Sequence, residues 1–158
     1  MCRFCWVINA ILVAGLAVGA YIFMVRGDVI ASSDGRKAIR LTAGERDLVL
    51  VEMRAFLESV KGIVTSVNDG DMGKVAVNAR AVGSGAAQEV PVSLMAKLPL
   101  EFKTLGLATH SAFDDLVVEA EGAGDGKVVM TKLAKLMDNC TTCHEGYRLD
   151  VDSAAVNR

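Results

Sequence analysis

Val49, Met53, Phe56, Val60, Ile63 and Val67 follow one another in steps of 4, 3, 4, 3 and 4 residues. On a helix of 3.6 residues per turn that spacing gathers six apolar side chains into one stripe, whereas a strand would need alternation. Thr42-Ala43-Gly44-Glu45 has the form of a capping box at the start of this helix, and Asn68-Asp69-Gly70 closes it. A shorter helix is expected from about Asp71 to Val82, with the small-residue stripe Met72, Val75, Ala76, Ala79 and Val82, before Gly83–Gln88 breaks the pattern. Pro99 suits the first turn of a third helix, where its missing N–H costs nothing. Phe102, Leu105, Thr109, Phe113, Leu116 and Ala120 mark one side of that helix, and Gly122–Gly126 reads as a turn. Asp125 can cap a fourth helix, on which Val129, Leu133, Leu136, Cys140, Cys143 and Tyr147 again step by 4, 3, 4, 3 and 4. No stretch alternates with a period of two, and there is no internal repeat. Four amphipathic helices on short loops must hide their stripes against one another, so the expected fold is all-α, an antiparallel four-helix bundle.

Ahead of these helices, Trp6 to Val25 is a run of 20 residues with no charge and one strongly polar side chain, Asn9. As a helix it would span about 30 Å, the thickness of a bilayer's hydrocarbon core. It exceeds the usual apolar stretch of a cleaved signal, so a retained single transmembrane helix is expected, with cleavage after Ala20 or Ala31 as the alternative. The expected organisation is an anchor over 1–25, a polar linker over 26–41, a four-helix domain over 42–150 and a tail over 151–158. Arg3 and Arg26 flank the run on both sides, so charge alone does not orient it.

The net charge of −2 and pI of about 5.7 lack the basic excess of a nucleic-acid footprint. Ala, Val and Leu dominate an apolar content of 52 %, against 5 % aromatic, which suits closely packed helices. Nothing resembles an enzyme site: no nucleophile with a base, no paired carboxylates in a pocket pattern, no glycine-rich phosphate loop.

The four cysteines form two pairs at opposite ends of the chain. Cys2 and Cys5 are followed by Trp6 and read as reduced thiols at the start of the anchor, with S-acylation as a lesser alternative. Cys140-Thr141-Thr142-Cys143-His144 is C-x-x-C-H, the attachment signature of c-type haem. On a helix, positions i, i+3 and i+4 share a face, so two thiols can bond two vinyl groups on one edge of a porphyrin while the imidazole meets the iron. A redox disulfide would want a βαβ setting, and zinc would want two further ligands. The motif therefore predicts one covalent haem c, with His144 as an axial ligand. Such attachment takes place on the periplasmic side in bacteria, which orients the chain: a bacterial inner-membrane protein, single-pass, with the haem domain in the periplasm.

C-x-x-C-H at the end of the last of four helices resembles the cytochrome c-prime family, which includes the low-spin cytochromes c-556. The string Asn139 to Arg148 is similar to that family's C-terminal motif, and Leu98-Pro99-Leu100-Glu101-Phe102-Lys103 through His110 to Phe113-Asp114 is also similar. The likeness covers roughly residues 41–150; the membrane segment departs from it. The resemblance implies that the first helix supplies the residue facing the far side of the iron, and Met53 is the matching candidate for a sixth ligand. His110 is the rival for that position. It also implies a basic residue beside the haem, for which Arg148 is the candidate. The arginine usual one turn before the distal residue is replaced by Val49; Arg46 and Arg54 are its nearest substitutes.

With His144 and Met53 as ligands the expected function is electron transfer, since a low-spin haem changes oxidation state with little rearrangement. If Met53 stays off the iron, the alternative is a five-coordinate haem that binds NO or CO. Expected partners are the membrane and redox proteins of a respiratory or photosynthetic chain. Gly15 and Gly19, in a run of small residues, would let the anchor pack closely in a larger complex, and a homodimer through the bundle is equally open.

Overall fold

The computed structural model describes residues 3–85, 90–122 and 124–152. The elements run α1 (Arg3–Tyr21), a π-helical turn (Ile22–Arg26), β1 (Val29–Ala31), β2 (Lys37–Leu41), α2 (Ala43–Asn68), α3 (Met72–Arg80), α4 (Val92–Lys97), α5 (Leu100–Glu121), α6 (Gly126–Gly146) and β3 (Tyr147–Val151). Of the expectations above, those for Cys2, for 86–88 in the break after the second helix, for residue 123 in the last turn and for 153–158 in the tail lie outside the described residues. The protein is mostly helical, as the apolar stripes predict, and its first described element is the apolar helix expected from the uncharged run.

Side chains at the helix starts explain where the helices begin. Glu45 N–H donates to Thr42 Oγ1 at 3.3 Å, and Thr42 N–H donates to Glu45 Oε2 at 2.9 Å, the reciprocal pair of a capping box. Lys97 Nζ adds a 2.6 Å contact to the same carboxylate, tying α4 to the start of α2. Asp71 accepts from Lys74 N–H at 2.9 Å and Asp125 from Lys127 N–H at 2.8 Å, so both aspartates satisfy orphan first-turn donors. Pro99 stands one place earlier than expected, as the N-cap of α5.

Two apolar clusters hold the domain together. In the first, α2, α3, α5 and α6 pack together and bury Phe56, Ile63, Val75, Phe113, Leu116 and Leu133 between them. Burying each such side chain is worth about 1.5–3 kcal/mol before chain entropy is charged. The second cluster lies at one end, where Val49 of α2, Leu94 and Leu98 of α4 and Phe102 of α5 meet Ile39, Leu41 and Tyr147 of the sheet.

That sheet corrects the expected all-α class, since the described residues hold a three-stranded sheet, and with it three finer expectations. Residues 26–41 are not an irregular linker, since β1 pairs antiparallel with β2 from Val29↔Ile39 to Ala31↔Lys37. β2 in turn pairs in parallel with β3, from Lys37↔Tyr147 to Leu41↔Val151. Tyr147, the last step of the expected fourth stripe, begins a strand instead of ending a helix. Val151, assigned to the tail, is paired, and Asp152 N–H still donates to Leu41 O at 2.8 Å. The physical reason is burial: Ala38, Ile39 and Leu41 are fully buried, which a solvated linker would not be. A short helix, α4, also lies in the stretch between the second and third expected helices.

The apolar segment Trp6–Arg26 has a mean hydropathy of 2.2, no part of it is buried in the domain, and it is long and apolar enough to cross a membrane. Its end is docked: Asp28 N–H donates to Lys97 O at 2.8 Å, and Lys103 Nζ lies 3.4 Å and 3.3 Å from the carbonyls of Phe23 and Met24.

Candidate functional site

The last turns of α6 carry Cys140, Cys143 and His144. Both cysteines are free thiols, partly buried. Cys140 packs against the first cluster and Cys143 against the second. Met53, on α2, packs against both. Three of the residues singled out from the sequence therefore border the two cores, Met53 touching both. Burial pushes both thiols up, Cys143 to about 11, so they stay protonated at neutral pH. A nucleophilic redox pair would need the opposite shift. Among the described residues, no group of three or more His, Cys, Asp and Glu is arranged to hold a metal ion.

His144 lies on the outer side of α6, exposed. Its backbone is held from the hairpin: Arg36 Nη1 donates to His144 O and to Tyr147 O, each at 3.4 Å. Arg148, on β3, donates through Nε to Asp150 Oδ1 at 2.8 Å and lies 3.6 Å from Asp34 Oδ2. Arg36 and Ser32 also donate to Asp34, and these bonds hold its carboxyl well below the usual carboxylate range. Arg36 and Asp34 were not singled out from the sequence. The Ser-Ser-Asp-Gly turn at 32–35 was the available signal, since it sits between two short apolar runs.

A cavity of about 340 Å³ opens between α2, α4 and α5. Val49, Leu94, Leu98 and Phe102 form one wall; they belong to the same cluster that Met53 and Cys143 touch. Gly106 leaves room on the α5 side. The cavity's polar side is Glu52 with His110. His110 Nδ1 lies 2.8 Å from Val82 O, its Nε2 lies 3.2 Å from Glu52 Oε1, and its ring packs against Phe56. Both ring nitrogens are therefore engaged, which leaves the rival iron-ligand role without a free donor. The Glu52 carboxylate raises the His110 pKa, against the opposing pull of burial. Val49 is buried in the second cluster, Arg46 pairs with Asp47 at 3.0 Å and Arg54 is exposed, so neither arginine takes the place that Val49 occupies.

Two thiols one turn apart and an adjacent imidazole are the donors that a covalently held iron porphyrin uses; Met53 packs against the same clusters, and the apolar cavity lies beside them without being lined by these four residues. The residues present fit that group. No family model, no curated protein and no solved structure matches this chain.

Proposed function

We propose that the chain is a membrane-anchored monohaem c-type cytochrome that transfers electrons in the bacterial periplasm. In this reading α2, α3, α5 and α6 are the antiparallel four-helix bundle of the cytochrome c-prime and c-556 family. The reading is carried by one observation: C-x-x-C-H ends α6 where its two thiols border the two cores that Met53 touches.

Cys140 and Cys143 would hold haem c as thioethers, and His144 and Met53 are the residues that would serve its iron. Bound there, the haem supplies reversible one-electron chemistry. The chain's own residues do the rest. Cys140 and Cys143 keep the group attached even where its pocket is open. Val49, Leu94, Leu98 and Phe102 exclude water, and low polarity together with a thioether ligand favours the reduced state. Arg148, held by Asp150 and Asp34, is the basic residue at the edge of the site. The apolar helix confines the domain to the membrane surface, close to redox partner proteins of a respiratory or photosynthetic chain. In this reading the chain is an electron carrier and not an enzyme, and a homodimer or a place in a larger membrane complex is compatible with it.

A second reading has one observation in its favour, the apolar cavity beside α2 and α5. Were Met53 to act only as packing, that space would admit NO or CO to a five-coordinate iron.

Acid-acetone extraction tests the first step, because colour that stays on the denatured polypeptide requires thioether attachment. The spectrum of the reduced protein tests the second. Sharp, split α and β bands that CO leaves unchanged mark six-coordinate iron and electron transfer. A broad spectrum that shifts with CO marks the gas-binding reading.

A further inference from the structure

A second opening lies where the apolar helix meets the domain. It is a cleft of about 630 Å³. Ile22, Phe23 and Arg26 form the helix side, and Ile30, Arg40 and Ala96 face them from β1, β2 and α4. We infer that this cleft binds an anionic phospholipid, with the acyl chain beside Ile22 and Phe23 and the phosphate beside Arg26 and Arg40. The inference rests on the N-terminal helix remaining on the chain as a membrane anchor, and it is independent of the haem.

The lining is apolar at one end and charged at the other, in the order a lipid presents. The helix wall runs from Gly19 to Arg26, which at the rise of an α-helix is about 10 Å, enough to reach from the headgroup layer into the acyl region. Arg26 ends the uncharged run, so in a membrane it stands at the level of the phosphates. Among the described residues its side chain enters no hydrogen bond or ion pair. Arg40 is fixed by Asp28, whose Oδ1 accepts from Nε at 2.9 Å and from Nη2 at 2.5 Å. Asp28 and Asp152 both face Arg40 and offset its charge, so the cation the cleft offers is the Arg26 guanidinium, which favours an anionic headgroup over a zwitterionic one. The walls are also held in place. The Lys103 ammonium lies against the Phe23 and Met24 carbonyls, and Asp28 N–H is bonded to Lys97 O. A lipid there meets a built groove instead of a loose tether.

The test uses the full chain, delipidated in detergent and titrated with dioleoyl-phosphatidylglycerol or dioleoyl-phosphatidylcholine, with bound lipid read by native mass spectrometry. The first equivalent of the anionic lipid is expected to bind about fivefold more tightly than the zwitterionic one, the worth of one basic charge at a membrane surface. Arg26→Gln should lose about that fivefold for the anionic lipid and little for the other. Arg26→Lys, which keeps the charge, should retain it and shows that any loss in the first variant is not misfolding. Equal binding of the two lipids, or an Arg26→Gln chain that binds as wild type does, overturns the inference. So does displacement of the lipid by millimolar inorganic phosphate, which would mark a site for free anions. The intact mass reports separately on both underlying readings: loss of the N-terminal helix from the mature chain would sink the lipid site alone, and absence of haem mass would leave it standing.

Discussion

Arg36 Nη1 donates to the carbonyl oxygen of His144 at 3.4 Å, although the two residues stand 108 positions apart. α6 ends there, and the last carbonyls of a helix have no partner within it. A guanidinium suits that negative end. The strand that follows, β3, lies parallel to β2, so the segment after the membrane helix holds the end of the helix that carries the motif. Arg36 is partly exposed, and its contacts are worth less than about 1 kcal/mol to global stability. Arg36→Ala should therefore leave the thermal midpoint nearly unchanged while amide exchange at Gly146–Leu149 speeds up. Unaltered protection in that segment would mean that the strand pairing alone holds the helix end.

Substitutions at the motif separate attachment from ligation. Cys140→Ser with Cys143→Ser should give a chain with no haem stain on a denaturing gel, and each single change should weaken the stain. Met53→Leu nearly conserves volume, so its packing cost stays under about 1.5 kcal/mol. It should nonetheless turn a low-spin reduced spectrum into one that responds to CO. An unchanged spectrum in Met53→Leu would show that the methionine only packs against the two clusters.

The His110–Glu52 pair makes stability depend on pH with a defined sign. His110 has a folded pKa above 6.5, chiefly because Glu52 favours its charged form. Its contribution is thus fully present below pH 6.5 and fades as pH rises through the raised folded value. Glu52→Gln should cost about 1–2 kcal/mol at pH 6, the worth of a partly exposed charge-assisted bond. At pH 9 the cost should be much smaller. Urea unfolding of both proteins at the two pH values checks this, and an equal gap at pH 6 and 9 would refute it.

α2, α3 and α6 were legible because each advertises itself twice, by a stripe and by a cap. Thr42, Asp71 and Asp125 stand where the backbone needs an acceptor, so sequence and structure agree there to within a residue or two. The sheet was hidden for a different reason. β1 has three residues and β2 five, too few for alternation to stand out, and the Asp34-Gly35 turn between them resembles any polar loop. Tyr147 fits two patterns, as the last step of a helical stripe and as the first inward residue of Tyr147-Arg148-Leu149-Asp150-Val151. Only the parallel partner Lys37, far away in the chain, decides between them. The same limit applied at the site. Periodicity placed Met53 and Cys140 on inward faces, but a face does not name its neighbour. That Glu52 would meet His110, or Arg36 reach His144, depends on contacts between distant elements.

Gly27 shows how tightly the apolar helix is joined to the domain. Its φ is +64°, a conformation that disfavours any side chain, and a Cβ there would come within 2.5 Å of Lys97 O and 2.6 Å of Pro99 N. Both neighbours are backbone atoms at the junction of α4 and α5, so neither can swing aside. Gly27→Ala should lose about 1–3 kcal/mol to the backbone conformation alone, since its ψ of −166° lies where essentially only glycine sits, and more to the clash, which is relieved only if the helix end lifts off. The helix itself has no part buried in the domain and should persist. The expected outcome is a chain that still folds around the first cluster but whose 27–36 segment becomes open to protease in detergent. The hydrogen bond from Asp28 N–H to Lys97 O would be lost, and with it the register that sets β1 on β2. Wild-type resistance to cleavage in Gly27→Ala would show that the helix and the domain are joined more loosely than the close approach at Gly27 implies.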